Sequence, residues 1–189
     1  MNTIIAYKEN GGISFVSSGN GYYGNIQLDT KISGLRVFEN GLVVGMEMSP
    51  DMECMLEILD RELGGDEVEL NEDYLKDTFI PTLHEILDDL NMLEDDGDTK
   101  VDSLSGRMLI AKGATLYLIN FDFDFWYVPD MVAIGVENNV INMIINNYRG
   151  SINNKDDMKE LIRLAFKYRK ESMDSFYHLN TLDLKEVEF

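Results

Sequence analysis

The chain has 189 residues, 44% hydrophobic and 27% charged, the proportions of one soluble globular domain with a substantial core. Sixteen Lys and Arg stand against 35 Asp and Glu, a net charge of −19, which repels phosphate backbones and anionic lipid and sets aside nucleic acid and membrane surfaces as partners. A single cysteine, Cys54, excludes an intrachain disulfide, and the absence of a leader-like or bilayer-length apolar run makes the expected setting cytoplasmic.

In chain order, strand-like runs come first. Asn2 to Lys8 and Ile13 to Ser18 flank Asn10-Gly11-Gly12. Leu35 to Phe38 and Leu42 to Gly45 flank Asn40-Gly41. Asn-Gly and Gly-Gly pairs accept the positive φ that hairpin turns require. Glycine recurs at Gly19-Asn20-Gly21 and Gly24-Asn25; with no Lys-Ser/Thr and no helix start after it, turn geometry explains it better than a phosphate cradle.

Ser49-Pro50 then starts a helix, since Ser caps and Pro suits the first helical position. Met52, Met55, Leu56, Leu59 and Leu63 recur at helical spacing until Gly64-Gly65. Asn71 is expected to cap a second helix over 71–91, with Leu75, Phe79, Leu83, Ile86, Leu87 and Leu90 inward and a kink or restart at Pro81. Glu94 to Ser105 reads as a solvated acidic loop. Asp95, Asp96, Asp98 and Asp102 lack the spacing of a calcium loop.

Strands resume at Arg107 to Ala111 and Thr115 to Ile119, turning at Lys112-Gly113. Asn120 to Tyr127 alternates, with Phe121, Phe123 and Phe125 on one side and Asp122 and Asp124 on the other, as a half-buried strand or an extended arm does. Its aromatics suit a subunit interface and a sheet core equally. Met131 to Ile134 is a short buried strand. Helices follow over 137–148, with Val140, Ile141, Ile144 and Ile145 inward, and over 154–172, capped by Asn153 or Asn154, with Met158, Leu161, Ile162, Ala165 and Phe166 inward. One or two strands close the chain from Phe176. The blocks predict an α+β fold: a four-layer αββα sandwich, two stacked antiparallel sheets flanked by helix pairs, with residues 1–189 as one domain.

This order, together with several local motifs, resembles the proteasome β-subunit family, most of all its bacterial form, the peptidase HslV. Thr3-Ile4-Ile5-Ala6 resembles the family's opening strand, and Gly11 its first turn. Gly24-Asn25 resembles its Gly-Asn, and Leu42-Val43-Val44-Gly45 the strand before its oxyanion glycines. Leu109-Ile110-Ala111-Lys112-Gly113 followed by Val132-Ala133-Ile134-Gly135 resembles the pair of strands that precedes a helix. The resemblance implies an N-terminal-nucleophile hydrolase fold and rings of identical subunits, with a ring ATPase unfoldase or another protein as partner. No cofactor and no metal is implied.

The family's chemistry uses an N-terminal Thr whose hydroxyl attacks and whose α-amino group is the base, with an Asp and a Lys tuning the site. Carried over position by position, the nucleophile falls on Asn2, the Asp on Ser18, the Lys on Gly34, the oxyanion Gly near Met48 and a site Ser on Val136. All depart from the family. The expectation is a catalytically degenerate, self-assembling structural or interaction protein. The alternative is an active N-terminal threonine endopeptidase, with Met1 and Asn2 removed, Thr3 as nucleophile and Lys31 standing in for the lysine. A one-residue shift, however, turns a strand side chain to the other face. His84 and His178 lie far apart without ligand spacing. Cys54 is expected to be a buried structural thiol.

Overall fold

The computed structural model describes the chain except residues 1–2, 19, 24–25, 32–33, 48–49, 96–101, 105, 136–137, 149–153, 168–175 and 189. For residues 20–23, 26–31, 50–51, 94–95, 102–103, 138, 148 and 165–167 it describes the backbone alone. Asn2, the Gly24-Asn25 pair, Met48, most of the acidic loop, Val136, Asn153 and the expected end of the last helix therefore lie outside the described residues.

Strands β1 (Thr3–Glu9) and β2 (Gly12–Ser18) form the opening hairpin, which turns on Asn10 and Gly11 at φ 50° and 85°. Strands β3 (Asn20–Tyr23) and β4 (Ile26–Lys31) pair as a ribbon of their own. Strands β5 (Leu35–Val37) and β6 (Val43–Met46) pair across a turn at Gly41, φ 82°. β7 (Glu94–Asp95) pairs with β8 (Asp102–Ser103). The remaining strands are β9 (Met108–Lys112), β10 (Thr115–Ile119), β11 (Phe125–Tyr127), β12 (Met131–Gly135), β13 (Phe176–Asn180) and β14 (Val187–Glu188).

Two five-stranded sheets result, in the orders β12-β1-β2-β13-β14 and β11-β10-β9-β6-β5. Every pairing in both is antiparallel.

The alternation of strand side chains builds the layers. Ile4 and Ala6 of β1, with Ile13 and Phe15 of β2, meet Val43, Leu109, Ala111 and Leu116 in a cluster between the sheets. Ile5 and Tyr7, on the opposite face of β1, join Val16, Ala133 and Phe176 under Ile141, Ile145, Met158, Leu161 and Ile162. Val44 and Met46, with Met108 and Ile110, join Met52, Met55, Leu59, Phe79, Leu83 and Leu87 on the far side of the second sheet. Three apolar clusters separate four layers, helix, sheet, sheet, helix, as the sequence predicts. Strands buried on both faces explain the near-continuous apolar runs of β1, β6 and β9.

Helix α1 (Pro50–Leu63) covers the second sheet together with a run made of α2 (Glu72–Tyr74), a π-helical turn (Leu75–Phe79) and α3 (Ile80–Asp89). Asn71 caps the run, its Oδ1 accepting from the Tyr74 N–H at 2.9 Å. The restart expected at Pro81 is observed: regular α-helix begins again at Ile80, with Pro81 in its first turn. The π turn just ahead of it widens the backbone ladder where the proline ring would crowd the preceding turn and where its N–H is missing. On the other side lie α4 (Asn138–Tyr148) and α5 (Lys155–Lys167). Asn142 fastens α4 to β12 by exchanging two 2.9 Å hydrogen bonds with the backbone N–H and carbonyl of Ala133. Asn154 Oδ1 caps α5, accepting from the N–H groups of Asp156 and Asp157 at 2.9 and 3.1 Å.

Two sequence expectations need correction. Asn120 to Tyr127 is not one alternating strand. Ile119 pairs with Phe125, so residues 120–124 form the β10–β11 turn, closed by Asn120 N–H to Asp124 O at 2.8 Å with Phe123 at φ 63°. Cys54 is exposed rather than buried. At 3.6 residues per turn it sits roughly 200° round α1 from Met52, opposite the stripe that Met55, Leu56 and Leu59 share.

Candidate functional site

The leading end of β1 brings together Thr3 and Ser18 of the positions singled out in the sequence. Thr3 is fully buried, and its neighbours across the sheet are Gly135 at the end of β12 and Ser18 at the end of β2. The Thr3 backbone N–H donates to Ser18 Oγ at 2.9 Å. Ser17 is also fully buried, its hydroxyl donating to the Ser18 carbonyl at 3.3 Å. The strand period assigns Thr3 to the face of Ile5 and Tyr7, toward α4 and α5; Ile4 and Ala6 face the space between the sheets.

Gly34, where the resemblance calls for lysine, is buried at φ 69°, and its carbonyl accepts from the Met46 N–H at 2.9 Å. That left-handed conformation suits glycine and strains any residue with a Cβ. Lys31 lies in β4 opposite Asn20.

The same end of the sandwich holds a pair that the sequence reading did not single out. Glu47, which follows β6, is 7% exposed. Its Oε1 accepts from Arg107 Nε at 3.0 Å and from the Gly135 N–H at 2.8 Å. Glu47 belongs to the chain of the second sheet and Gly135 to the first, so one carboxylate ties the sheets together beside Thr3. The Glu47 N–H also donates to the Arg107 carbonyl at 3.2 Å. Arg107 in turn sits over the Phe121 ring, 5.3 Å from its centroid. Gly106 packs closely against this pair: a Cβ there would lie 3.1 Å from Glu47 Cβ and 3.2 Å from its carbonyl oxygen, tighter than most such contacts. The signal was present in outline: Met46 pairs with Met108, so Glu47 and Arg107 stand opposite each other just beyond paired strands.

Chemically, this arrangement holds charge more readily than it turns over substrate. The Glu47 Oε1 already accepts two donors, one of them cationic, and so is occupied in tying the sheets. The Ser18 hydroxyl is engaged by the Thr3 amide.

The histidines do not join the site. His84 in α3 stacks obliquely on Phe123 at 5.3 Å, and His178 lies in β13. Burial, with Lys155 nearby, lowers the pKa of His178 against the opposing pull of Glu9 and Asp183. Burial also pushes the Tyr74 hydroxyl up to about 12. Cys54 opens onto a cleft of about 570 Å³ shared with Arg36, Glu39, Glu57, Asp60 and Arg61. Among the described residues, no cluster of three or more His, Cys, Asp and Glu is placed to hold a metal ion, and no helix is long and apolar enough to cross a membrane.

No family model matches the chain, and no curated protein matches it. Among solved structures it is similar to Thiobacillus denitrificans BPH, with a TM-score of 0.69 and 14% identity over 94% of this chain and 96% of that one. It is similar also to Thiobacillus denitrificans BPH in complex with epoxomicin, with a TM-score of 0.67 and 14% identity over 94% of this chain and 97% of that one. At 14% identity the likeness is one of fold, the helix–sheet–sheet–helix sandwich carried over nearly the full length of both chains.

Proposed function

We propose that the chain is a proteasome-like subunit without peptidase chemistry, acting as a structural or interaction protein that assembles with copies of itself. The fold it shares with a protein that binds epoxomicin, a proteasome inhibitor, supports the first half of this reading. The observation that carries the second half is the tie at the leading end of β1. Glu47 holds Arg107 and the Gly135 N–H there. The lysine position is a left-handed glycine and the aspartate position a serine.

Threonine peptidase chemistry needs a hydroxyl and a free amine on one residue, a cation beside them and N–H donors for the oxyanion. With Met1 and Asn2 in place, the Thr3 nitrogen is an amide and no base. With them removed, Thr3 still belongs to the strand face that looks toward α4 and α5. Self-assembly is supported by exposed apolar side chains on two parts of the surface: Phe121, Trp126 and Tyr127 at the β11 edge, and Met143 and Leu164 on the outer helices.

The test is a pair of measurements on the purified chain. Light scattering at micromolar concentration is expected to report an assembly larger than a dimer. Incubation with epoxomicin, followed by intact mass, is expected to leave the chain unmodified. An adduct on Thr3 with loss of Met1 and Asn2 would establish the active endopeptidase instead.

A further inference from the structure

Helix α5 lies along β13, and one stripe of its side chains fixes the alignment. Lys159 Nζ and the Arg163 guanidinium carbon each sit 5.2 Å from the centroid of the Phe176 ring, which is fully buried. Lys155 stands one turn, about 6 Å, ahead of Lys159 on the same stripe. His178 stands about 7 Å beyond Phe176 on the same face of β13. The first turn of α5 therefore rests over His178, and the charge of Lys155 reaches that imidazole.

The sheet under this turn is polar, whereas Met158, Leu161 and Ile162 seat the rest of the helix in an apolar cluster. Asn180 Nδ2 donates to Ser14 Oγ at 2.6 Å, and Ser14 Oγ donates to Glu9 Oε2 at 2.8 Å. The Tyr7 hydroxyl donates to the same Glu9 oxygen at 3.3 Å. Burial first, then the charge of Glu9 and more weakly that of Asp156, raise the Tyr7 pKa, so the first turn of α5 lies beside this network too.

His178 is half-buried, and its Cα partners in the sheet are Val16 of β2 and Val187 of β14. The charged groups of the described residues that bear on it are Lys155 from α5, Glu9 from β1 and Asp183 from the turn after β13.

We propose that the first turn of α5 is an acid-sensitive clasp, closed over His178 while the imidazole is neutral and released when it takes up a proton. Two features of the fold drive the release. The N-terminus of a helix carries partial positive charge, so a cation placed under it is unfavourable. Lys155 adds a full charge of the same sign. Glu9 and Asp183 belong to the sheet side, so they remain with the imidazolium when the turn lifts and favour the open form. The grip of Met158, Leu161 and Ile162 confines the opening to the start of the helix.

The reporters are the backbone N–H groups of Asp156, Asp157 and Met158, all of which donate to Asn154. Hydrogen exchange of the full chain is followed by NMR at pH 7.5 and pH 5.5 and corrected for the intrinsic pH dependence of exchange. With an ordinary histidine pKa of about 6.5 in the open form, opening is expected to rise by up to about tenfold between the two. The N–H groups of α1 are expected to keep their protection. His178→Asn is expected to erase the rise. Lys155→Met keeps the imidazole and is expected to raise the His178 pKa in an NMR titration and to shrink the rise. Corrected exchange that is the same at both pH values in the wild-type chain would overturn the proposal, as would a rise that survives in folded His178→Asn. If His178→Asn does not fold, Lys155→Met decides alone: a His178 pKa and a rise both left as in wild type would overturn the clasp.

Discussion

Replacing Glu47 by alanine strips two donors of their shared acceptor. The Gly135 N–H, 2.8 Å from the carboxylate, is left in a buried position, which costs about 1–3 kcal/mol. Arg107 loses its ion partner at 3.0 Å. Orphaning one member of a fully buried pair costs about 3–5 kcal/mol. The Arg107 side chain is 22% exposed and recovers part of that loss by hydration, so we take the low end.

The two terms share one oxygen and do not simply add, giving an expected total of about 3 kcal/mol. For a chain of this size that lowers Tm by about 6–12 °C. Glu47→Gln keeps an acceptor for Gly135 and loses only the charge, so it should cost less, about 1–2 kcal/mol. Urea denaturation of Glu47→Ala, Arg107→Ala and the double variant completes the cycle. A coupling energy above about 1 kcal/mol is expected, as contacting residues show. A Glu47→Ala protein within about 0.5 kcal/mol of wild type would refute the idea that this carboxylate ties the sheets.

Further outcomes are expected elsewhere. Gly34→Lys, which restores the residue the resemblance calls for, should destabilise by about 1–2 kcal/mol because φ is 69° there, and should yield no peptide turnover in a fluorogenic assay. A thiol reagent should modify Cys54 in the native protein without prior unfolding; slow, unfolding-limited reaction would contradict its exposure. His178 has a pKa below its ordinary value of 6.5, so the unfolded chain binds its proton more readily than the folded one. Its contribution to stability is therefore complete above that ordinary value and is lost as pH falls from there toward the folded pKa. Urea midpoints at pH 7 and pH 5.5 should differ less in His178→Asn than in wild type. Pro81→Ala restores the missing N–H, and hydrogen exchange should report whether residues 75–79 then close into regular α-helix, as the account of the π turn requires.

The layers were legible because strand and helix periods are local. Ile4 and Ile5 lie on opposite faces of β1, and the sequence alone places apolar residues on both. The stripe of Met52, Met55, Leu56 and Leu59 likewise marked the buried side of α1. The same wheel places Cys54 on the outer side, against the expectation of a buried thiol.

The turn at 120–124 was hidden because Phe-Asp-Phe-Asp has the period of a strand; the reversal is fixed by the pairing of Ile119 with Phe125, which is tertiary. The Glu47–Arg107 pair escaped for a similar reason. Both strand ends were recognised, but their adjacency across 60 residues depends on sheet order. The departures at Ser18 and Gly34 could be seen in the sequence. That Gly34 has a left-handed backbone, and so cannot simply be replaced by lysine, required the fold.

The most direct test of the central claim gives the chemistry its best chance. A chain trimmed to begin at Thr3 has a hydroxyl and a free amine on its first residue. Incubated with epoxomicin and weighed intact, it is predicted to keep its unmodified mass, because Ser18 and Gly34 supply neither the carboxylate nor the cation and Thr3 belongs to the helix-facing side of β1. A mass increase of one inhibitor, mapped to Thr3, would contradict the account and return the chain to the peptidases.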